Sequence, residues 1–192
     1  VFFAGNLFQI ERLEILVLGI IAFCLIASAV YIVNDLNDIE VDRIHPLKRD
    51  RPLASGAVSK STAITLLVLF LLSGLILSYL LNPVFFFLVC GYLVLNIAYS
   101  FGLKNISIVD LFIVSLGFLI RIHGGGILAG VEVSHWLSIM ILLLSLFLVL
   151  AKRRDDLVLQ AKSQAIIRKT SSSYNLEFIN ACLTIFAAVI VV

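Results

Sequence analysis

Apolar residues in this chain run in long stretches with few polar interruptions and no alternation. Six of them, approximately 13–33, 62–81, 83–101, 106–122, 134–151 and 175–192, approach the 20 or so residues that a membrane-crossing helix needs. Val1 to Ile10 reads as the tail of an earlier helix. In lipid, backbone groups must be satisfied within the element, so only helices and closed barrels span. Stretches this long without period-two alternation exclude barrel strands. The predicted fold class is all-α: one polytopic transmembrane helical bundle over 1–192. Its opening on Val1 and its stop inside an apolar stretch at Val192 predict a domain incomplete at both ends.

The polar breaks orient the bundle. Of the fourteen Lys and Arg, all but Arg12 and Arg121 lie in 43–60, at 104 or in 152–169. The Asn82-Pro83 turn has no cation, and the 123–134 connection has Glu132 as its only formal charge. Strict alternation then puts loops 34–61, 102–105 and 152–174 on one side, and the excess of cations there makes that side cytoplasmic. The chain is expected in a bacterial inner membrane with its active site on that face.

Composition agrees: 61% of residues are hydrophobic and 14% charged, against about a quarter charged in soluble domains, and the mean hydropathy is +1.14. The net charge of +2 identifies no partner, because the two signs are sorted along the chain. No basic patch is interleaved with stackable aromatics, which argues against nucleic acid. Cys24, Cys90 and Cys182 sit far apart inside apolar stretches. They read as small core residues, with no disulfide framework or metal-ligand spacing. The first stretch lacks the basic flank and cleavage site of a signal peptide and reads as a true span. The Ser171-Ser172-Ser173 run reads as a loop.

Chemistry concentrates where the first span leaves the bilayer, at Asn34-Asp35-Leu36-Asn37-Asp38-Ile39-Glu40-Val41-Asp42. At helical spacing Asn34, Asp38 and Asp42 fall at about 0°, 40° and 80°, with Asp35 at about 100° and Glu40 turned away at about 240°. Hard oxygen ligands held this way suit Mg²⁺, which completes its shell with water and substrate phosphate oxygens. A merely solvated helix end explains the cluster poorly. Like charges on one face repel, and the C-terminal end of a helix disfavours anions. Lys48, Arg49 and Arg51 come directly after and can clamp phosphoryl oxygens. Pro46 and Pro52 stiffen that loop, and His45 reads as structural rather than catalytic.

Asn34-Asp35-x-x-Asp38-x-x-x-Asp42 resembles the first aspartate-rich motif of the UbiA superfamily of intramembrane prenyltransferases. The string through His45-Pro46-x-Lys48-Arg49-x-Arg51-Pro52 is most similar to one branch, the decaprenyl-phosphate phosphoribosyltransferases. Tyr99-Ser100-x-x-x-Lys104, Arg121 before the Gly124-Gly125-Gly126 turn, and Ala151-Lys152-Arg153 add to that similarity. The resemblance covers nearly the whole chain. It implies nine helices around a central cavity, of which this chain would hold roughly the second to the seventh. It also implies a part in cell-wall biosynthesis.

Most aromatic prenyltransferases of the superfamily carry a second D-x-x-x-D motif after the sixth helix. Here Lys152-Arg153-Arg154-Asp155-Asp156 stands instead, similar to the phosphoribosyltransferase branch. Lys152, Asp155 and Asp156 share one helical face. Asp155 and Asp156 are candidate ligands for a second metal or the substrate, or partners in loop ion pairs. The expectation is that this acidic tip and the first converge on one cytosolic pocket. Intramembrane charges are costly, so Asp110 is expected to join the site or pair with Lys104. Arg121 either snorkels to the far interface or faces the cavity through a helix disrupted by the glycines. Tyr31 and Tyr99 are by default interface or core aromatics, although the resemblance adds Tyr99 to the substrate contacts.

The resemblance implies Mg²⁺-dependent transfer of 5-phosphoribosyl from phosphoribosyl diphosphate to a polyprenyl phosphate. Asp35, Asp38 and Asp42 would hold the metal, with Lys152 and Asp156 also in the catalytic set. Asn34, Lys48, Arg49, Arg51, Tyr99, Lys104, Arg121, Arg153 and Asp155 would meet the substrates, and the isoprenoid tail would lie among apolar helices or in lipid. One alternative is ionisation of a prenyl diphosphate, captured by an aromatic or other lipid-forming acceptor. Another is a non-enzymatic transporter or scaffold. Transporter sites usually lie near the midplane, whereas the ionisable residues here gather at one face.

Overall fold

A computed structural model describes residues 10–45, 48–163 and 175–191. The expected helical tail over 1–9, Pro46 and the serine run 171–173 lie outside those residues. Among the described residues six α-helices come in order: α1 (Ile10–Ile44), α2 (Lys60–Leu81), α3 (Pro83–Ser100), α4 (Val109–Ala129), α5 (His135–Ser163) and α6 (Leu176–Val191), with a 3₁₀ turn over Leu103–Asn105. The all-α expectation holds. Five helices, α1 to α5, are long and apolar enough to cross a membrane, and α6 is apolar but shorter. Large apolar side chains such as Leu72, Leu80, Phe87, Val94 and Leu148 stand outward, as spans facing lipid require. This is an integral membrane protein.

The helices group into two compact units. The first runs through α1, α2 and α3 to Phe101 and takes in Ile120–Glu132; the second holds Gly102–Leu119 and everything from Val133 on. In the first unit, Ala22, Ile26 and Val30 recur every four residues on α1 and pack with Phe23 against Phe85, Val89 and Tyr92 of α3. Small residues let these helices approach. A Cβ on Gly74 of α2 would lie 2.9 Å from Ile26 and 3.2 Å from the Ala22 carbonyl oxygen. That backbone atom cannot step aside. Gly74→Val is therefore expected to destabilise the bundle by about 1–3 kcal/mol, the usual range for overpacking. Thermal melting in detergent measures it.

Asn82 both ends α2 and starts α3. Its backbone N–H donates to the Ser78 carbonyl oxygen, while its Oδ1 accepts from Val84 N at 2.8 Å and Phe85 N at 3.1 Å. Pro83 takes the first helical position, where a missing N–H does no harm. The second core brings Leu111 of α4 and Leu146, Val149 and Leu150 of α5 against Ile179 of α6.

Two expectations change here. The three glycines do not break the helix: α4 continues to Ala129 and ends at Gly130, in the left-handed region at φ 63°. Val131 N donates to the Gly126 carbonyl and Gly130 N to that of Ile127, a Schellman closure. Gly124 serves packing instead, since a Cβ there would sit 3.0 Å from the Phe85 ring. The cysteines are also less deeply placed than expected, Cys24 being exposed and Cys90 and Cys182 half-buried.

Candidate active site

The acidic string lies wholly on α1, whose helix continues to Ile44, so the one-face geometry expected of Asn34, Asp35, Asp38 and Asp42 applies. The next residues form a loop pinned to the helix. Leu53 packs with Ile39 of α1 and Ala63 of α2, and Arg43 Nε donates to the Ala54 carbonyl at 3.2 Å. Backbone turns from Lys48 and Arg49 to His45, from Arg51 to Lys48 and from Ser55 to Arg51 shape it. His45 is buried at the junction, which fits a structural part.

That loop aims Arg51 at the acidic face. Its Nη1 lies 2.8 Å from Asp35 Oδ1 and 2.9 Å from Asp42 Oδ2, and Lys48 Nζ stands 3.8 Å from Asp42 Oδ1. Asp42 is almost fully enclosed, with 3% of its side chain exposed, whereas 38% of Arg51's is. Asn34, Asp35 and Asp38 are half-buried, and Arg49 is exposed. Among the described residues, no three Asp, Glu, His or Cys side chains are grouped closely enough to hold a metal ion by themselves. Two carboxylates nevertheless converge on a single cationic atom, and their oxygens are hard donors. Asp35 and Asp42 thus fit a divalent cation, with Asp38 on the same face. Sequence reasoning missed Asn37, whose Nδ2 donates to the Ser100 carbonyl at 2.9 Å and ties α1 to the end of α3 beside Tyr99.

Arg121 does not snorkel away. It lines a pocket of about 340 Å³ in the first unit, together with Leu16, Gly19, Phe23, Phe85 and Leu128. Its guanidinium lies over the Phe23 and Tyr92 rings, 5.4 Å and 5.2 Å from their centroids, and Nη2 donates to the Tyr92 hydroxyl at 3.0 Å. Aromatic faces and a hydroxyl together satisfy a cation at this depth. Phe23 precedes Asp35 by twelve residues on α1, which sets the two levels about 18 Å apart along the helix axis. Sequence spacing carried no sign of Tyr92.

In the second unit, α5 extends to Ser163, so Lys152, Asp155 and Asp156 do lie on a helix. Lys152 and Asp155 are exposed. Arg153 is not presented to a ligand as expected. It is buried, giving Nε and Nη2 to Asp110 at 2.7 and 3.0 Å and Nη1 to Asp156 at 3.2 Å. Asp110, fully buried, therefore pairs with Arg153. The physical reason is desolvation: a carboxylate and a guanidinium at this depth are tolerable only as a bidentate pair. Arg154 Nε donates to Asn180 Oδ1 at 2.8 Å and ties α5 to α6. Lys104 is half-buried in the 3₁₀ turn of this unit.

Residues 2–192 match the UbiA prenyltransferase family. The chain is 38% identical to the decaprenyl-phosphate phosphoribosyltransferase of Mycolicibacterium smegmatis over 90% of its length and 54% of the relative's. It is 36% identical to that of Mycobacterium tuberculosis, over 95% of this chain and 60% of the other. It thus spans somewhat over half the length of these relatives. A solved UbiA homolog from Archaeoglobus fulgidus, bound to DMAPP and Mg²⁺, superposes with a TM-score of 0.80 at 22% identity, covering 93% of this chain and 64% of that one. At this identity the likeness bears on the fold, which is the helical one described above. By that match over nearly its whole length, the chain belongs to the UbiA prenyltransferase family.

Proposed function

We propose that the full-length protein transfers 5-phosphoribosyl from phosphoribosyl diphosphate to a polyprenyl phosphate of the decaprenyl type, at the cytoplasmic face of a bacterial inner membrane. The observation that carries this reading is the convergence of Asp35 and Asp42 on the Arg51 head, with Lys48 alongside. A site built of both signs suits a diphosphate that is bridged to the acids and clamped by the loop. The relatives named decaprenyl-phosphate phosphoribosyltransferase support the choice of substrates.

In this reaction the bond from the anomeric carbon to diphosphate breaks, and the diphosphate keeps the electron pair. A phosphate oxygen of the acceptor forms the new bond to that carbon. Mg²⁺, when bound at Asp35, Asp38 and Asp42, supplies charge neutralisation and a template for the leaving diphosphate. Lys48, Arg49 and Arg51 hold phosphoryl oxygens, with Lys104 and Lys152 assigned to the same task. Asn34 and Tyr99 are assigned to substrate contacts. Asp155 and Asp156 are assigned to the ribose or a second cation, and Arg153 to holding Asp156. The acceptor phosphate is already anionic at neutral pH, so no strong general base is required. Arg121 and its apolar pocket are assigned to the acceptor.

A second reading, prenyl transfer from a prenyl diphosphate, draws support from the Archaeoglobus fulgidus homolog, solved with DMAPP or GPP and Mg²⁺. Digeranylgeranylglyceryl phosphate synthase of Sulfolobus acidocaldarius, 34% identical over 59% of this chain and 40% of its own, points the same way. One assay separates the two. Purified full-length protein is given labelled phosphoribosyl diphosphate with a polyprenyl phosphate, and in parallel a prenyl diphosphate with an aromatic or lipid acceptor. A labelled lipid formed only with Mg²⁺ in the first mixture is the expected result. Turnover in the second mixture alone reverses the ranking, and turnover in neither leaves the transporter or scaffold reading.

A further inference from the structure

We infer that Arg51 is a stand-in cation that competes with the metal for the acidic face, so that metal and diphosphate enter together rather than in sequence. The inference rests on the metal–diphosphate reading of the proposed function. Its starting point is geometric: one atom, Arg51 Nη1, contacts both Asp35 Oδ1 and Asp42 Oδ2, at 2.8 and 2.9 Å. A divalent ion bridging those two oxygens needs the space that the guanidinium fills.

Between the enclosed Asp42 and Arg51, the arginine is the one able to leave. Asp42 has 3% of its side chain exposed and cannot turn out to water, while Arg51 has 38% exposed. The backbone beneath Arg51 is held, by the Ser55 N–H bond to its carbonyl and by Leu53 in the core. Departure is therefore a side-chain rotation, with no refolding of the loop.

Departure alone is unfavourable, because it strips the enclosed Asp42 of its nearest cation, leaving Lys48 Nζ 3.8 Å away. It becomes favourable when a metal replaces the guanidinium and the guanidinium gains phosphoryl oxygens. The two exchanges need each other. Free metal then binds weakly, free diphosphate binds weakly, and each strengthens the other by the same factor, as linkage demands.

The test is Mn²⁺ binding to full-length protein in detergent, monitored by the electron paramagnetic resonance of free Mn²⁺, with and without inorganic diphosphate. In the wild type, diphosphate should tighten Mn²⁺ binding by about tenfold or more, within the usual span of coupling between sites. Arg51→Gln should bind Mn²⁺ alone about tenfold more tightly than the wild type does, with the gain from diphosphate largely lost. Arg51→Lys keeps the charge and should retain the wild-type pattern, which guards against misfolding of the Gln variant. Mn²⁺ affinity left unchanged or weakened by Arg51→Gln, with binding intact in the wild type, overturns the competition alone. A wild type that binds no Mn²⁺ even with diphosphate present overturns the competition and the metal reading together.

Discussion

Asp42→Asn in the full-length protein is expected to lower the proposed phosphoribosyl transfer on the order of 10²–10³-fold, the loss seen when one preorganised electrostatic contact is removed from a transition state. Asn keeps the shape of the side chain and removes its charge. Asp42 carries more of the arrangement than its neighbours, because it is the enclosed member and faces both Arg51 and Lys48. Without its charge, the proposed cation site at this end of α1 would keep only Asp35 and Asp38. Initial rates at saturating Mg²⁺ measure the effect, with thermal melting as the folding control. Glu40→Gln serves for comparison. Glu40 is exposed and pairs with Arg43 one turn on, at 3.2 Å, and such surface pairs contribute little. If both variants kept full rates, the metal–diphosphate reading would be lost.

The second large effect falls on stability. Asp110→Asn is expected to destabilise the second unit by about 3–5 kcal/mol, since removing one partner strands a buried charge. Arg153 has 3% of its side chain exposed and gives two hydrogen bonds to Asp110. Asp156 offers it one contact, at 3.2 Å. The double variant Asp110→Asn with Arg153→Met should recover most of the loss, because no unmatched charge then remains inside. Melting of the four proteins in one detergent gives the coupling directly. A single variant as stable as the wild type would mean that water reaches Arg153. Activity tests the role proposed for Asp156: the double variant should fold well and still transfer poorly, because Asp156 loses its contact with the Arg153 guanidinium.

The legible part of the fold owes its legibility to the solvent. Lipid forces each long apolar stretch into a helix, so the locations of α1 to α6 could be read without knowing any contact. Their ends were less plain. The first helix runs past its predicted apolar stretch, 13–33, to Ile44, and the fifth past 134–151 to Ser163, since polar residues extend a helix as readily as they end one. The acidic face was legible because its members share one helix, where spacing alone fixes direction. The grip of Arg51 on Asp35 and Asp42 was not, because it depends on the path of an irregular loop.

Long-range pairing was illegible for a different reason. Asp110 and Arg153 are 43 residues apart, and a lone intramembrane acid states that it needs a partner without naming one. Nearness along the chain pointed to Lys104, and no spacing pointed to Arg153. The glycines of α4 misled in the opposite sense. Taken locally they break a helix, but Gly124 is there for the Phe85 ring packed against it, and the helix ends at Gly130. Arg121 was readable as either of two states, and Tyr92 decided between them.

Asn82 couples α2 to α3. Because a single residue closes one helix and opens the next, there is no slack between α2 and α3, and the rotational phase of α3 is geared to that of α2. One residue inserted after Asn82 would swing every later α3 side chain by about 100°, carrying Phe85, Val89 and Tyr92 off their seats together. The cradle around Arg121 is thus indexed from a hinge pin several turns away, and it keeps its shape only while that pin neither gains nor loses a link.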